Sequence, residues 1–246
     1  MKFPRTGFTA ALLATALSGI SAAASADTQV FSTDFNGSLA VQITPGSASQ
    51  VTVQGYSGLG PAGNQFGGSF LRSMTGNVVT LTLTGLQAHS SISVGFLFAA
   101  IDSLDGTGTF PSGDYFKVTL DGNQIFRESF ANAVSSQIQS YTPPAGGQLA
   151  RHVDLGFSGP GGYYTDSAYN MAVDSAFRNI AHTGSTAVFT FQIEGVGNQD
   201  LNDESWAMDN LRVSVTPVPE PESYALMLAG LGLMGTIARR RQRTQP

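Results

Sequence analysis

Between residues 27 and 216, apolar and polar side chains alternate with a period of two, and the roughly 3.6-residue period of helices is scarce. Residues 78–84 read Val-Val-Thr-Leu-Thr-Leu-Thr, which lines one face with threonine and the other with valine and leucine. Residues 91–98 begin the same way and then turn wholly apolar. Residues 115–120 and 124–127 flank Asp121-Gly122-Asn123, where glycine supplies the positive φ of a tight turn, so a hairpin is predicted. Residues 186–193 alternate again, and residues 206–215 place Leu211, Val213 and Val215 on one face of a closing strand. Turn-rich stretches occupy 55–68, 102–113, 142–147 and 156–162, and only 169–180 could hold a helical turn. Ten or more short strands with turns this frequent predict an all-β domain, a β-sandwich of jelly-roll type. No internal repeat is present, which argues against a propeller or solenoid.

Two segments break the alternation. Residues 8–20 are apolar, follow Lys2 and Arg5, and precede the small residues Ala24-Ser25-Ala26. That order predicts a secretory signal peptide over residues 1–26, cleaved before Asp27. Residues 224–238 form a second apolar run, preceded by Val218-Pro219-Glu220-Pro221 and followed by Arg239, Arg240, Arg241 and Arg243. The prolines hold residues 218–221 extended and exposed, a shape that a protease or transpeptidase can read. Fifteen apolar residues make about 22 Å of helix at about 1.5 Å per residue. Against a hydrocarbon core of about 30 Å, the predicted transmembrane helix 224–238 is short and needs snorkelling arginines at its end. The basic cluster 239–243 is expected to stay cytoplasmic.

These three parts resemble the PEP-CTERM sorting signal of Gram-negative bacteria, over residues 217–243. The resemblance implies recognition by exosortase, a membrane-embedded transpeptidase-like enzyme. It also implies a passenger held at the inner membrane until processing, then delivered to the cell envelope or the extracellular matrix of exopolysaccharide and biofilm. The passenger, residues 27–216, has to be read separately.

Composition narrows that reading. Residues 27–216 hold six basic and fifteen acidic residues, a net charge of −9. Such a surface excludes nucleic acid as partner, because phosphates need lysine and arginine. The chain has no cysteine, so it has no disulfide, cysteinyl zinc site or thiol nucleophile. The 29 glycines and 12% charged residues suit an exported β protein.

Candidate chemistry is sparse. Asp200, Asn202, Asp203 and Glu204 put hard oxygen donors in one turn, the kind of set that Ca²⁺ takes, though the spacing is not that of an EF-hand. Asp209 interrupts an apolar strand and needs a partner if buried; Asp34, in the opening segment, is the expected neighbour, because first and last strands of such sandwiches commonly pair. A cation between Asp34 and Asp209 would relieve their repulsion. Asp102, Asp105 and Asp114 bracket a further loop that could take a cation. The ending Asp203-Glu204-Ser205-Trp206 with Asp209-Asn210 resembles that of many β-sandwich passengers with this tail, some of them galactose-binding-like jelly rolls; the resemblance implies a galactose-binding-like or concanavalin-like sandwich and a structural calcium. Tyr163, Tyr164 and Trp206 are candidates for stacking on sugar rings.

Catalytic motifs are absent. His89, His152 and His182 are scattered, and Gly55-Tyr56-Ser57-Gly58-Leu59 has leucine where a nucleophile elbow needs glycine. The expected function is therefore non-enzymatic: a sorted surface or matrix protein with glycan-binding capacity. One alternative is a polysaccharide-modifying hydrolase or lyase using a carboxylate pair such as Glu128 and Glu194. Another is a calcium-dependent adhesin or self-assembling surface protein.

Overall fold

The computed structural model describes residues 26–107, 113–157, 164–218 and 221–243. The expected signal peptide therefore lies almost wholly outside the described residues. In chain order the strands are β1 (Thr28–Thr33), β2 (Ile43–Thr44), β3 (Ser49–Thr52), β4 (Ser69–Met74), β5 (Val79–Thr84), β6 (His89–Asp102), β7 (Tyr115–Leu120), β8 (Asn123–Ser129), β9 (Gln148–Val153), β10 (Asp166–Asn170), β11 (Ile180–Ala181), β12 (Thr186–Glu194) and β13 (Glu204–Pro217), followed by helix α1 (Pro221–Arg243).

The strands form two antiparallel sheets. One runs β3-β4-β13-β6-β10-β9, with β1 added to β13 and β11 to β6; the other runs β2-β5-β12-β7-β8. They pack face to face as a β-sandwich. Phe98 of β6 meets Phe116 of β7 across the interface, ring centroids 4.3 Å apart, and Trp206 of β13 lies 5.3 Å from Phe116. The predicted hairpin is present: Asp121 and Gly122 both have positive φ (50° and 80°), and Leu120 pairs with Asn123. The expected helical turn forms as two short 3₁₀ turns, Met171–Val173 and Ser175–Phe177, with the side chains of Asn170 and Asp174 capping them.

The apolar end of β6 has a direct cause. Its first half alternates between buried and partly exposed positions, but from Gly95 to Asp102 every residue is buried. The outer face of the large sheet is covered there by Tyr56, Phe66 and Phe70, which pack on Leu97, Ala99 and Ile101. Tyr56 Oη also donates to the carbonyl of Ala100 at 3.1 Å. With both faces dry, alternation has nothing to report.

β13 is the strand on which the site depends. One edge pairs with β6 from Glu204↔Asp102 to Pro217↔His89. The other edge is shared: residues 205–208 pair with β4, and residues 211–215 pair with β1. The first and last strands are thus neighbours, as expected. Between the two partners the register shifts at Asp209 and Asn210, and Asn210 has φ 50°, a bulge that bends the strand.

Helix α1 covers the second apolar run, but the expectation of a transmembrane span at 224–238 is corrected. No helix among the described residues is long and apolar enough to cross a membrane. Fifteen apolar positions are too few, and Gly230, Gly232, Gly235 and Thr236 dilute them further before the arginines begin.

Candidate functional site

Three carboxylates from two distant parts of the sequence meet at one end of the inter-sheet core. β6 ends at Asp102, and Asp105 follows three residues later; Asp114 immediately precedes β7; Glu204 opens β13. Asp105, Asp114 and Glu204 each offer one oxygen, and the three oxygens lie within 4.8 Å of one another. Glu204 shares a strand face with Trp206 and Met208, both in the core between the sheets.

Local chemistry fixes this convergence. Asp105 forms an isolated bridge with Ala131, and its amide donates to Asp114 Oδ2 at 2.5 Å. Gly106 follows with φ 72°, and a Cβ there would sit 2.2 Å from the carbonyl oxygen of Ile138, so the turn requires glycine. The amide of Gly113 closes the loop on the carbonyl of Gly106 at 2.8 Å. On the other side, the amides of Asp203 and Glu204 both donate to the carbonyl of Asp200, and the Ser103 amide donates to that of Asp203 at 2.9 Å. Arg72 of β4 clamps the same turn, donating from Nη2 to Leu201 O at 2.7 Å and from Nε to Ser205 Oγ at 2.9 Å.

Each carboxylate uses one oxygen inside the protein. Asp105 Oδ1 accepts from Gln137, Asp114 Oδ2 from the Asp105 amide, and Glu204 Oε1 from Gln199 at 3.1 Å. The second oxygens of Asp114 and Glu204, Oδ1 and Oε2, are buried and have no hydrogen-bond partner. Among the described residues no lysine, arginine or histidine forms an ion pair with any of the three. Asp114 and Glu204 are each only 1% exposed. Burial pushes the Glu204 carboxyl up to about 8, and the charges of Asp114 and Asp105 push the same way. Burial also raises Asp114 to about 6, opposed by the amides of Asp105 and Gly106 and reinforced by the Asp105 charge. Three acids with spare oxygens and no cationic side chain are a donor set for a hard divalent cation.

The residues expected to hold a cation divide. Asp200 and Asn202 are exposed, with Asp200 Oδ1 accepting from the Asn202 amide at 2.9 Å, while Asp203 Oδ1 accepts from Ser103 Oγ. Of that turn only Glu204 joins a cluster. Asp105 and Asp114 join it from the loop that sequence reasoning treated as separate. What joins the two loops is the register of β13 against β6, which no local motif announces.

Asp34 and Asp209 are close enough for their charges to interact, as expected, yet both are satisfied by main chain. Asp209 Oδ2 accepts from the Gly67 amide at 3.1 Å and Oδ1 from the Asn210 amide at 2.6 Å. Burial pushes the Asp209 carboxyl up to about 7 against those two amides, and the charge of Asp34 adds to the rise. Exposed Asp34 accepts from the Asn36 amide at 3.1 Å, and its carboxyl is held below the usual range by Asn36. These two acids do not join the three-carboxylate cluster.

The expected sugar-stacking role of Trp206 is corrected. Its side chain is fully buried among Phe98 and Phe116 and has no face to offer a ligand. Tyr164 is half-buried, and Tyr163 lies outside the described residues. Glu194, one of the acids suggested as a hydrolytic pair, is tied to Lys117 at 3.1 Å and to Arg127 at 2.8 Å.

Beyond the sandwich, Val218 is exposed and donates to the carbonyl of Ala88 at 3.1 Å. Pro219 and Glu220 lie outside the described residues; Pro221 opens α1, and Arg239, Arg240, Arg241 and Arg243 occupy its end. Residues 217–242 match the PEP-CTERM protein-sorting motif. This segment is a PEP-CTERM sorting signal. A PEP-CTERM signal makes the chain an exosortase substrate, handled at a membrane during export.

No curated protein sequence matches this chain significantly. Among solved structures, the chain is similar to a 4-O-methyl-α-glucuronidase with specificity for decorated arabinogalactans, at 12% identity and TM-score 0.33 over 78% of this chain and 18% of that one. It is also similar to the CBM22-1–GH10 modules of a Clostridium thermocellum endo-1,4-β-D-xylanase complexed with xylohexaose, at 8% identity and TM-score 0.30 over 79% of this chain and 30% of that one. The chain spans less than a third of either protein, and likeness this slight carries no argument about function.

Proposed function

We propose that this protein is an exported, exosortase-sorted component of the cell surface or exopolysaccharide matrix, and that its sandwich holds neutral glycan rather than performing catalysis. The observation that carries this reading is the PEP-CTERM signal at 217–242, set directly after the last strand of the sandwich. Exosortase is then the partner that releases the domain from its transient membrane anchor. The net charge of −9 over residues 27–216 favours uncharged ligands over nucleic acid.

A polar groove supports the glycan clause. It encloses about 420 Å³ beside β1 and β13, and Gln29, Thr33, Asn64, Asn210 and Arg212 are among its lining residues. Amides and guanidinium groups are suited to exchanging hydrogen bonds with sugar hydroxyls. Asn64 is nearly buried, so the accessible polar groups of the groove are those of Gln29, Thr33, Asn210 and Arg212.

Two measurements test the parts separately. In a host with exosortase, replacing Pro219, Glu220 and Pro221 by alanine should leave the protein uncleaved and membrane-retained; normal processing would remove the sorting reading. In affinity gels cast with the host's exopolysaccharide, the protein should be retarded and Gln29→Ala should run ahead of it. Equal mobility with and without polysaccharide would remove glycan binding and leave a packing role in the matrix.

A further inference from the structure

We propose that Asp105, Asp114 and Glu204 form a calcium site that pins the two sheets of the sandwich together at one end. The site is distinct from the Asp34 and Asp209 pair, in which backbone amides occupy both oxygens of Asp209 and Oδ1 of the exposed Asp34. It does not depend on the glycan reading, because it stands on side chains away from the groove.

Proximity of acids alone would not carry this assignment. The second observation is the pair of orphaned oxygens, Asp114 Oδ1 and Glu204 Oε2, on side chains 99% buried. A buried polar atom without a partner is costly, and a buried carboxylate oxygen more so. The remaining oxygen of each acid is already held, by Gln137, the Asp105 amide and Gln199. That division is how ligating carboxylates are prepared: one oxygen is oriented by the protein and the other is left for the metal.

The donors select the ion. All three are carboxylate oxygens, and neither cysteine nor histidine joins the cluster, which disfavours zinc and copper. Oxygens bound to Ca²⁺ at about 2.4 Å lie at most about 4.8 Å apart, whereas Mg²⁺ needs a tighter octahedron at about 2.1 Å. The three oxygens lie within 4.8 Å of one another, close enough for one hard cation to reach all of them, and carboxylates fixed on three separate chain segments suit the adaptable coordination of Ca²⁺ better than the strict octahedron of Mg²⁺. Three negative charges against two positive ones also remove most of the mutual repulsion among the acids. Asp105 follows β6 and Glu204 opens β13, both of the large sheet, while Asp114 leads into β7 of the small one, so one ion bridges both layers.

The test uses the full chain purified in mild detergent and stripped with EGTA. Adding millimolar Ca²⁺ should raise Tm by about 5–10 °C, the shift expected at roughly a hundredfold excess over Kd for a domain of this size. Mg²⁺ should give less than half of that. Trp206, the chain's one tryptophan, lies two residues from Glu204, so bound terbium should show sensitised emission that calcium displaces. Glu204→Gln should lose the calcium shift and most of the terbium signal. In EGTA the same variant should melt no lower than wild type, which shows that it is folded; Asp105→Asn serves as the second variant. The assignment is overturned if calcium leaves Tm unchanged and no terbium emission appears. It is equally overturned if Glu204→Gln responds to calcium as wild type does, and an equal response to Mg²⁺ would overturn the preference for calcium.

Discussion

Asp209 and Glu204 lie on one strand, are each 1% exposed, and both have carboxyls raised by burial, to about 7 and about 8. Their surroundings answer that burial in opposite ways. At Asp209 the strand bulges, the Gly67 loop folds over it, and two backbone amides fill its oxygens. At Glu204 the strand begins beside two other acids, and one oxygen is left over. A buried carboxylate is tolerable when the main chain supplies donors. Where the neighbouring loop supplies acids instead, the charge must be neutralised by a proton or by a bound cation.

The largest expected effect that separates the two is on pH dependence. A carboxyl raised on folding binds protons more tightly in the native state, so its stabilisation is present at low pH and is lost as pH rises through the folded value. In chelator, stability should therefore fall between about pH 5 and pH 8, with Glu204 and the neighbouring Asp114 together giving the largest part of the loss. Denaturant titrations at the two pH values measure this, and calcium should remove the Glu204 share while leaving that of Asp209. A flat profile in chelator would show that the two acids are not as buried as their environments indicate.

The next effect is mutational. Asp209→Ala strands the amides of Gly67 and Asn210 and should cost about 2–3 kcal/mol, by the same amount with calcium and with EGTA. Dependence of that cost on calcium would make Asp209 part of an ion site and dissolve the contrast. The smallest effect is a control. Gly67→Ala retains the amide, and its new Cβ would meet nothing within 4 Å. Its Tm should stay within about 1 °C, corresponding to the few tenths of a kcal/mol typical of such surface changes; a larger drop would mean that the loop, not its amide, is what Asp209 needs.

The alternation of residues 78–84, 115–120, 186–193 and 211–215 made four of the thirteen strands legible, because those stretches have one dry and one wetter face. The hairpin at Asp121-Gly122 was legible because its turn geometry is local. β10 was not: Asp166-Ser167-Ala168-Tyr169-Asn170 reads as polar, yet all five residues are buried. Asp166 is accommodated by accepting from the amides of Asp102 and Leu155, partners 64 and 11 residues away. The site failed to show for the same reason. Asp105, Asp114 and Glu204 each read as ordinary loop acids until the pairing Glu204↔Asp102 brings the two loops together. Trp206 misled because an aromatic beside a polar turn looks exposed, and only the second sheet buries it.

β13 is also the strand that leads into the sorting signal. Its hydrogen bonds run to β6 along one edge and to β4 and β1 along the other, crosswise to its own axis. A tug on the tether while the chain is still held at the membrane would act lengthwise on that strand. The bonds on both flanks would then resist together in shear rather than opening one after another like a zip. The domain is thus bonded most firmly along the axis of the strand that leads into the sorting signal.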